Sequence, residues 1–191
     1  MKIGFAITAS FCTLQKVMEN LKQLVDLGHD VYPIISENIK KFDTRFGDSK
    51  KFIKEIEEIT QRRVIDNIVE AEVLGTKNKM DVMVVLPATG DFIAKFANGI
   101  TDNTANLAVK ATLRNQKPVV VAVSTNDGLG INGQNIMKLL NTKNVYFVPF
   151  GQDNCIEKPN SLVAHYDLLL QTINEAINGR QKQLVLLDYN I

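Results

Sequence analysis

The run Val82-Met83-Val84-Val85-Leu86, closed by Pro87, constrains this chain more than any other stretch. It is apolar at every position, where a strand with one solvated face would alternate, so both of its faces must be covered. Such a strand belongs inside a parallel sheet with helices packed above and below. Pro118–Val123 repeats the pattern, and Lys2–Thr8, Asp30–Ile35 and Val145–Val148 are further β-rich runs. Helical spacings lie between them. Leu14, Val17, Met18, Leu21, Leu24 and Val25 recur one turn apart, with Gly28 as the stop. Phe52, Ile53, Ile56 and Ile59 mark a helix from Ser49 to Thr60, with Ser49 as N-cap. An alanine-rich helix follows over Asn103–Gln116, then one carrying Ile136, Leu139 and Leu140, then Leu168–Asn178 before Gly179. The alternation predicts an α/β fold. We expect a single three-layer, Rossmann-like domain over residues 1–179, its parallel sheet covered by helices on both faces. Residues 180–191 are expected to form a tail that frays or packs on another subunit.

A length of 191 residues suits one such domain. Its 22 Lys+Arg against 21 Asp+Glu leave a formal charge of +1. That gives none of the basic excess that binding a phosphate backbone needs, so no nucleic-acid partner is expected. No apolar run reaches the roughly 20 residues of a membrane span. The apolar N-terminus breaks at Thr8, too short for a signal sequence, so a cytoplasmic location without membrane contact is expected. Two cysteines (Cys12, Cys155) and two histidines (His29, His165) supply neither a disulfide framework nor a metal set. No metal is expected.

Right-handed crossovers bring the C-terminal ends of all the strands to one edge, where open α/β sheets bind ligands. Three polar turns gather there. Thr8–Thr13 offers small and hydroxyl side chains at a helix start, which suits an anion, or a plain N-cap by Ser10 or Thr13. Leu86–Asn103 is dense in Pro, Thr, Gly, Asp and Asn, which offers donors to a ligand or simply builds a capped turn. In Val123–Gly130, Ser124, Thr125 and Asn126 suit the edge of a heterocycle, or a plain glycine-containing loop. Neither the G-x-G-x-x-G nor the P-loop fingerprint occurs. Three such turns with few charges predict a neutral planar ligand carrying a single phosphate.

The middle turn carries Pro87-Ala88-Thr89, Ala94-Lys95, Gly99-Ile100 and Asp102-Asn103 in order. With Lys2–Thr13 and Lys117–Asn126, this resembles the flavoprotein family that includes the cysteine-type decarboxylases and the flavin prenyltransferases. The resemblance implies FMN as cofactor. It puts Thr8, Ala9, Ser10 and Phe11 around the flavin phosphate and ribityl chain. Ser36, in a Ser-x-x-Ile-x-x-Phe pattern with Ile39 and Phe42, falls at the phosphate, and Phe42 near the ring. Pro87, Ala88 and Thr89 fall beside the isoalloxazine. Ser124, Thr125 and Asn126 fall at its polar edge or the ribityl. Asn103 is placed among the cofactor-binding residues and, with Asp102, opens a helix in a neighbourhood that often forms a subunit contact, the family assembling as trimers or dodecamers.

The likeness of Asp43–Gly47, Ser124–Asp127 and Phe147–Asp153 implies an oxidoreductase subunit. Its NAD(P) would sit on a separate nicotinamide-binding subunit, because one domain leaves no room for a second dinucleotide fold. A substrate with two carboxylates would then call on Arg45, Lys110 and Arg114, with Arg45 first. No catalytic residue is assigned. The chain departs from the family at Ala9, in place of glycine, and at Gly90, where the decarboxylases carry Asn. It also lacks a histidine between Ser36 and Gly47, and has Thr125-Asn126-Asp127 in place of a Met-Asn…Met signature. These departures speak against the alternative, a stand-alone FMN-dependent decarboxylase or prenyltransferase-like enzyme. A non-catalytic assembly subunit with a vestigial flavin pocket is another alternative. His29 and His165 read as structural and Cys155 as a free loop thiol.

Overall fold

The structure, a computed structural model, describes residues 1–8, 13–41, 49–77 and 79–188. In chain order the elements are β1 (Lys2–Ile7), α1 (Leu14–Asp26), β2 (Asp30–Ile35), α2 (Glu37–Lys41), α3 (Ser49–Thr60), α4 (Ile68–Val73), β3 (Val82–Ala88), α5 (Gly90–Ala97) and α6 (Thr104–Arg114). There follow β4 (Val119–Thr125), α7 (Gly133–Leu140), β5 (Val145–Phe147), β6 (Phe150–Gly151), β7 (Leu162–Ala164), a 3-10 turn (Tyr166–Leu168) and α8 (Leu169–Ile177).

The strand order is β2-β1-β3-β4, with β5 beside β4, and all four of these pairings are parallel. The apolar runs of β3 and β4 are buried throughout their centres, as continuous apolar sequence requires. Helices α1, α3 and α8 pack on one face of the sheet and α4 to α7 on the other. The fold is thus the expected three-layer α/β domain. Gly28, at φ 78, ends α1 in the left-handed region that glycine enters without strain.

Four features depart from the sequence expectation. First, β3 runs on to Ala88 instead of stopping at Leu86, and its register against β4 shifts between Val85 and Ala88. Proline has no N–H to donate, so an even ladder cannot pass through Pro87. Second, α5 lies inside the stretch read as a turn. Its Thr89, Gly90 and Asp91 are the cap and first turn of a helix that buries Phe92, Ile93 and Ala97. Third, the sheet is not wholly parallel. The short β7 returns antiparallel to β4, pairing Ser124 with Val163 and Thr125 with Leu162, and β6 pairs antiparallel to β7. Fourth, the tail docks on its own domain. The Gln181 side chain donates to Phe147 O at 2.7 Å and accepts from Phe147 N at 2.8 Å, as a neighbouring strand would. Leu186 bridges Phe150 further along.

Near β2, Lys40 donates to Asp66 at 2.6 Å. That bond, aided by the Asn67 amide and opposed by burial, holds Asp66 below its ordinary 3.8. A depressed folded-state pKa gives stability that is complete above the unfolded value and lost as pH falls through the folded one. The stability gap between the wild type and Asp66→Asn should therefore be constant above about pH 5 and close below about pH 4, as read from urea midpoints against pH.

Candidate functional site

In a sheet of order 2-1-3-4-5 the chain leaves β1 and β3 in opposite directions, and the crevice between their C-terminal ends is the ligand position. Here that crevice is tied by one hydroxyl. Thr8 Oγ1 donates to Pro87 O at 2.7 Å and accepts from Thr89 N at 3.1 Å. Thr89 is the N-cap residue of α5 and separates two cavities.

The smaller cavity, about 380 Å³, is lined by Thr8, Ser36, Thr89, Asn103 and Asn106 together with Glu37, Asp91, Asp102 and Lys95. It therefore brings together four of the residues singled out from the sequence. Two polar atoms in it have no partner among the described residues: Ser36 Oγ, just after β2, and Asn106 Oδ1. Asn106 is 1% exposed, and its Nδ2 is already committed to Phe92 O at 3.3 Å. Buried polar atoms are rarely left bare, so both are open to a ligand or solvent. The cavity is not poor in charge, as the sequence suggested. Three carboxylates face one ammonium, because Glu37 and Asp102 reach in from segments far apart in the chain. Lys95 lies 3.5 Å from Asp91 and 3.3 Å from Asp102. Burial pulls the Lys95 ammonium down, but these two carboxylates outweigh it and leave its pKa raised.

Glu37 closes the start of α6. Its Oε1 accepts from Thr104 N at 2.9 Å and from Thr104 Oγ1 at 2.6 Å, while Asn103 caps Asn106 N at 2.9 Å. A carboxylate at a helix N-terminus is favoured by both the free N–H groups and the dipole. Glu37→Ala leaves the fully buried Thr104 without its acceptor. We expect a loss of about 1–3 kcal/mol, read from urea unfolding.

The larger cavity, about 1120 Å³, runs from Thr89 and Gly90 past Ser124, Thr125 and Asn126 to α1 and the β7 return. Its near wall is a polar cluster. Thr125 Oγ1 donates to Asp127 Oδ1, and Asn132 Nδ2 donates to Asp127 Oδ2 at 2.8 Å. These three side chains crowd Gly90. A Cβ there would stand 2.8 Å from Asn132 Nδ2, 2.8 Å from Thr125 Oγ1 and 2.9 Å from Asp127 Oδ1. Gly90 is glycine because the cluster occupies the space a side chain would need.

Other sequence candidates fall elsewhere. Ala9, Ser10, Phe11, Phe42 and Arg45 lie outside the described residues. Pro87 and Ala88 are buried in β3, where Pro87 serves through its carbonyl. Lys110 and Arg114 do not join the other candidates. They line a separate apolar groove of about 570 Å³ with Phe96, Ile100, Leu113 and Leu139. Helix α6 starts at the ligand edge and runs away from it, which carries both residues off.

Sequence reasoning missed the far wall of the larger cavity: Lys16 and Asn20 on α1, and Lys158, His165 and Tyr166 around β7. Only the antiparallel return brings the last three there, and a three-residue strand has no detectable periodicity. His165 thus lines the cavity. His29 sits at the opposite edge, its pKa lowered by burial and by the nearby positive N-terminus. Among the described residues no cluster of His, Cys, Asp or Glu is arranged to hold a metal, and no helix is long and apolar enough to cross a membrane.

Residues 1–178 match the family model described as Flavoprotein, and the chain belongs to the flavoprotein family. It is 47% identical over 187 residues to the B subunit of dipicolinate synthase from Bacillus subtilis (strain 168), spanning 98% of this chain and 94% of that protein. The crystal structure of the dipicolinate synthase B subunit from Bacillus halodurans C aligns with a TM-score of 0.91 at 48% identity, over 98% of this chain and 96% of that one. The dodecameric FMN-dependent UbiX-like decarboxylase from Escherichia coli O157:H7 aligns with a TM-score of 0.63 at 16% identity, over 78% and 80% of the two chains, and shows the fold alone.

Proposed function

We propose that this chain is the flavin-binding subunit of a dipicolinate synthase. It would hold FMN across the crevice between β1 and β3 and act with a nicotinamide-binding subunit. Together they would convert a dihydrodipicolinate-type precursor to dipicolinate during sporulation. The observation that carries the reading is the pair of cavities meeting at Thr89, in a chain nearly half identical to a dipicolinate synthase B subunit along almost its whole length.

The residues present fit the cofactor. FMN has a phosphate, a hydroxyl-rich chain and a flat ring with a polar edge. Ser36 Oγ and Asn106 Oδ1, both without partners among the described residues, suit the phosphate and hydroxyl end. Thr125 and Asn126 suit the ring edge. The combined volume exceeds that of an ordinary ligand pocket, roughly 300–1,000 Å³, which leaves room for a substrate beside the ring.

When bound, the flavin supplies two-electron redox chemistry, while the protein supplies position and electrostatics. Aromatising a dihydropyridine ring removes two electrons and two protons. In this reading the nicotinamide of the partner subunit accepts both electrons and one proton as a hydride, and the second proton leaves to solvent. Within the chain, Thr8 and Thr89 fix the crevice. The far wall meets the substrate, where Lys16 and Lys158 supply cationic groups. Lys110 and Arg114 would reach a substrate only across a contact between copies. The apolar groove they line, with Ile100 47% exposed, supports a homo-oligomer.

Visible spectra of the purified protein with and without added FMN test the cofactor. A protein-bound flavin band is expected, and its absence in both samples would defeat the reading. Co-purification with a nicotinamide-binding protein tests the partnership. Ser36→Ala is a sharper probe. It removes a hydroxyl with no partner among the described residues, so urea stability should be unchanged. FMN affinity should fall about tenfold, as for loss of one hydrogen bond to a charged group.

A further inference from the structure

Thr125 is one end of a hydrogen-bonded chain whose direction is fixed at both termini. Lys138 Nζ donates to Asn98 Oδ1 at 3.4 Å, and Asn98 Nδ2 donates to Asn135 Oδ1 at 3.4 Å. Asn135 Nδ2 donates to Asn132 Oδ1 at 2.9 Å, and Asn132 Nδ2 donates to Asp127 Oδ2 at 2.8 Å. An ammonium only donates and a carboxylate only accepts, so every amide between them must face the same way. A second bond, from Asn98 Nδ2 to Ala94 O at 2.8 Å, holds the first amide in that orientation. The remaining carboxylate oxygen, Asp127 Oδ1, then takes the proton of Thr125.

A threonine hydroxyl has one proton. With it spent on Asp127, Thr125 Oγ1 offers only lone pairs, and no described residue donates to them. Thr125 stands on the wall of the larger cavity. We infer that Asp127 is a positioning residue that makes Thr125 an acceptor toward the cavity, so that this wall selects a ligand carrying an N–H. In oxidised FMN the ring N–H is at N3 of the pyrimidine edge. Heterocycles that present only carbonyl oxygens or a methylated nitrogen at that edge are disfavoured. This rests on the flavin reading above and adds a selection rule to it.

The test compares FMN with N3-methyl-FMN as probes in fluorescence titrations of the full-length protein. The wild type should bind FMN at least about tenfold more tightly, the factor that one good hydrogen bond supplies. Bulk alone could also disfavour the methyl group, and Thr125→Val separates the two causes. Valine keeps the shape and loses the lone pairs, so the preference should collapse toward unity. Thr125→Ser should keep it. Asp127→Asn frees the threonine proton and should lower it, without changing side-chain volume. Equal binding of the two flavins by the wild type overturns the inference and leaves the flavin site standing. So does a preference that survives in Thr125→Val. Failure of the wild type to bind either flavin overturns both.

Discussion

Gly90→Asn should cost the protein about 1–3 kcal/mol of stability, the usual effect of forcing extra atoms into a packed site. It should also weaken FMN binding by well over tenfold. The Cβ alone would approach three polar atoms at 2.8–2.9 Å. The Thr125 backbone is held by pairing with Leu162 of β7, so its Oγ1 can retreat only by a χ1 rotation that gives up its bond to Asp127. The Asp127 carboxylate is bonded through both oxygens. The cluster must therefore break, and the cavity wall goes with it. Gly90→Ala isolates the Cβ and should show a smaller loss in the same direction. The damage should be non-additive: in an Asp127→Ala background one of the three collisions is gone, and the cost of Gly90→Ala should shrink. Urea midpoints and FMN titrations read both effects. A Gly90→Asn protein that binds FMN like the wild type would sink the steric account. Gly90 and the segment Thr125–Asp127 are also two of the places where the sequence leaves the decarboxylase pattern. The structure makes them one departure, since the polar cluster exists only where residue 90 has no side chain.

That coupling shows what could and could not be read in advance. The sheet was legible because Val82–Leu86 and Pro118–Val123 are apolar at consecutive positions, a local property of the chain. Helix α5 was not, because the residues that cap it are those that also make turns. Thr8, Ser36, Thr89 and Asn103 were legible as a group through their family pattern, and they do share one cavity. The charges in that cavity were not. Glu37 meets Thr104 across 67 positions, and no local pattern announces such a contact. Lys110 and Arg114 fell on the helix where the sequence put them. Which end of α6 faces the ligand depends on the direction of the crossover, and that took them away from the site. His165 moved the other way, from a residue read as structural to a cavity wall, through the unforeseen return of β7.

The other large effect is expected at the crevice itself. Thr8→Val keeps the side-chain shape and removes one hydroxyl from a residue 3% exposed. Two backbone groups then lose their partner: the Pro87 carbonyl, bonded at 2.7 Å, and the Thr89 amide, at 3.1 Å. A buried group left unpaired, as the Pro87 carbonyl would be, costs about 1–3 kcal/mol, and the half-buried Thr89 amide adds less. The sum is a substantial part of the roughly 5–15 kcal/mol that separates a folded domain from its unfolded chain. The functional loss should exceed what the stability loss explains. Thr89 borders both cavities, and its amide is held only by Thr8 among the described side chains. Releasing it loosens the phosphate end and the ring end together, so FMN affinity should fall even in the folded fraction. Thr8→Ser restores the hydroxyl without the methyl and should recover most of the binding. If Thr8→Val and the wild type show the same urea midpoint and the same FMN affinity, the hydroxyl does not organise the crevice, and the two cavities are held apart by the packing of β1 and β3 alone.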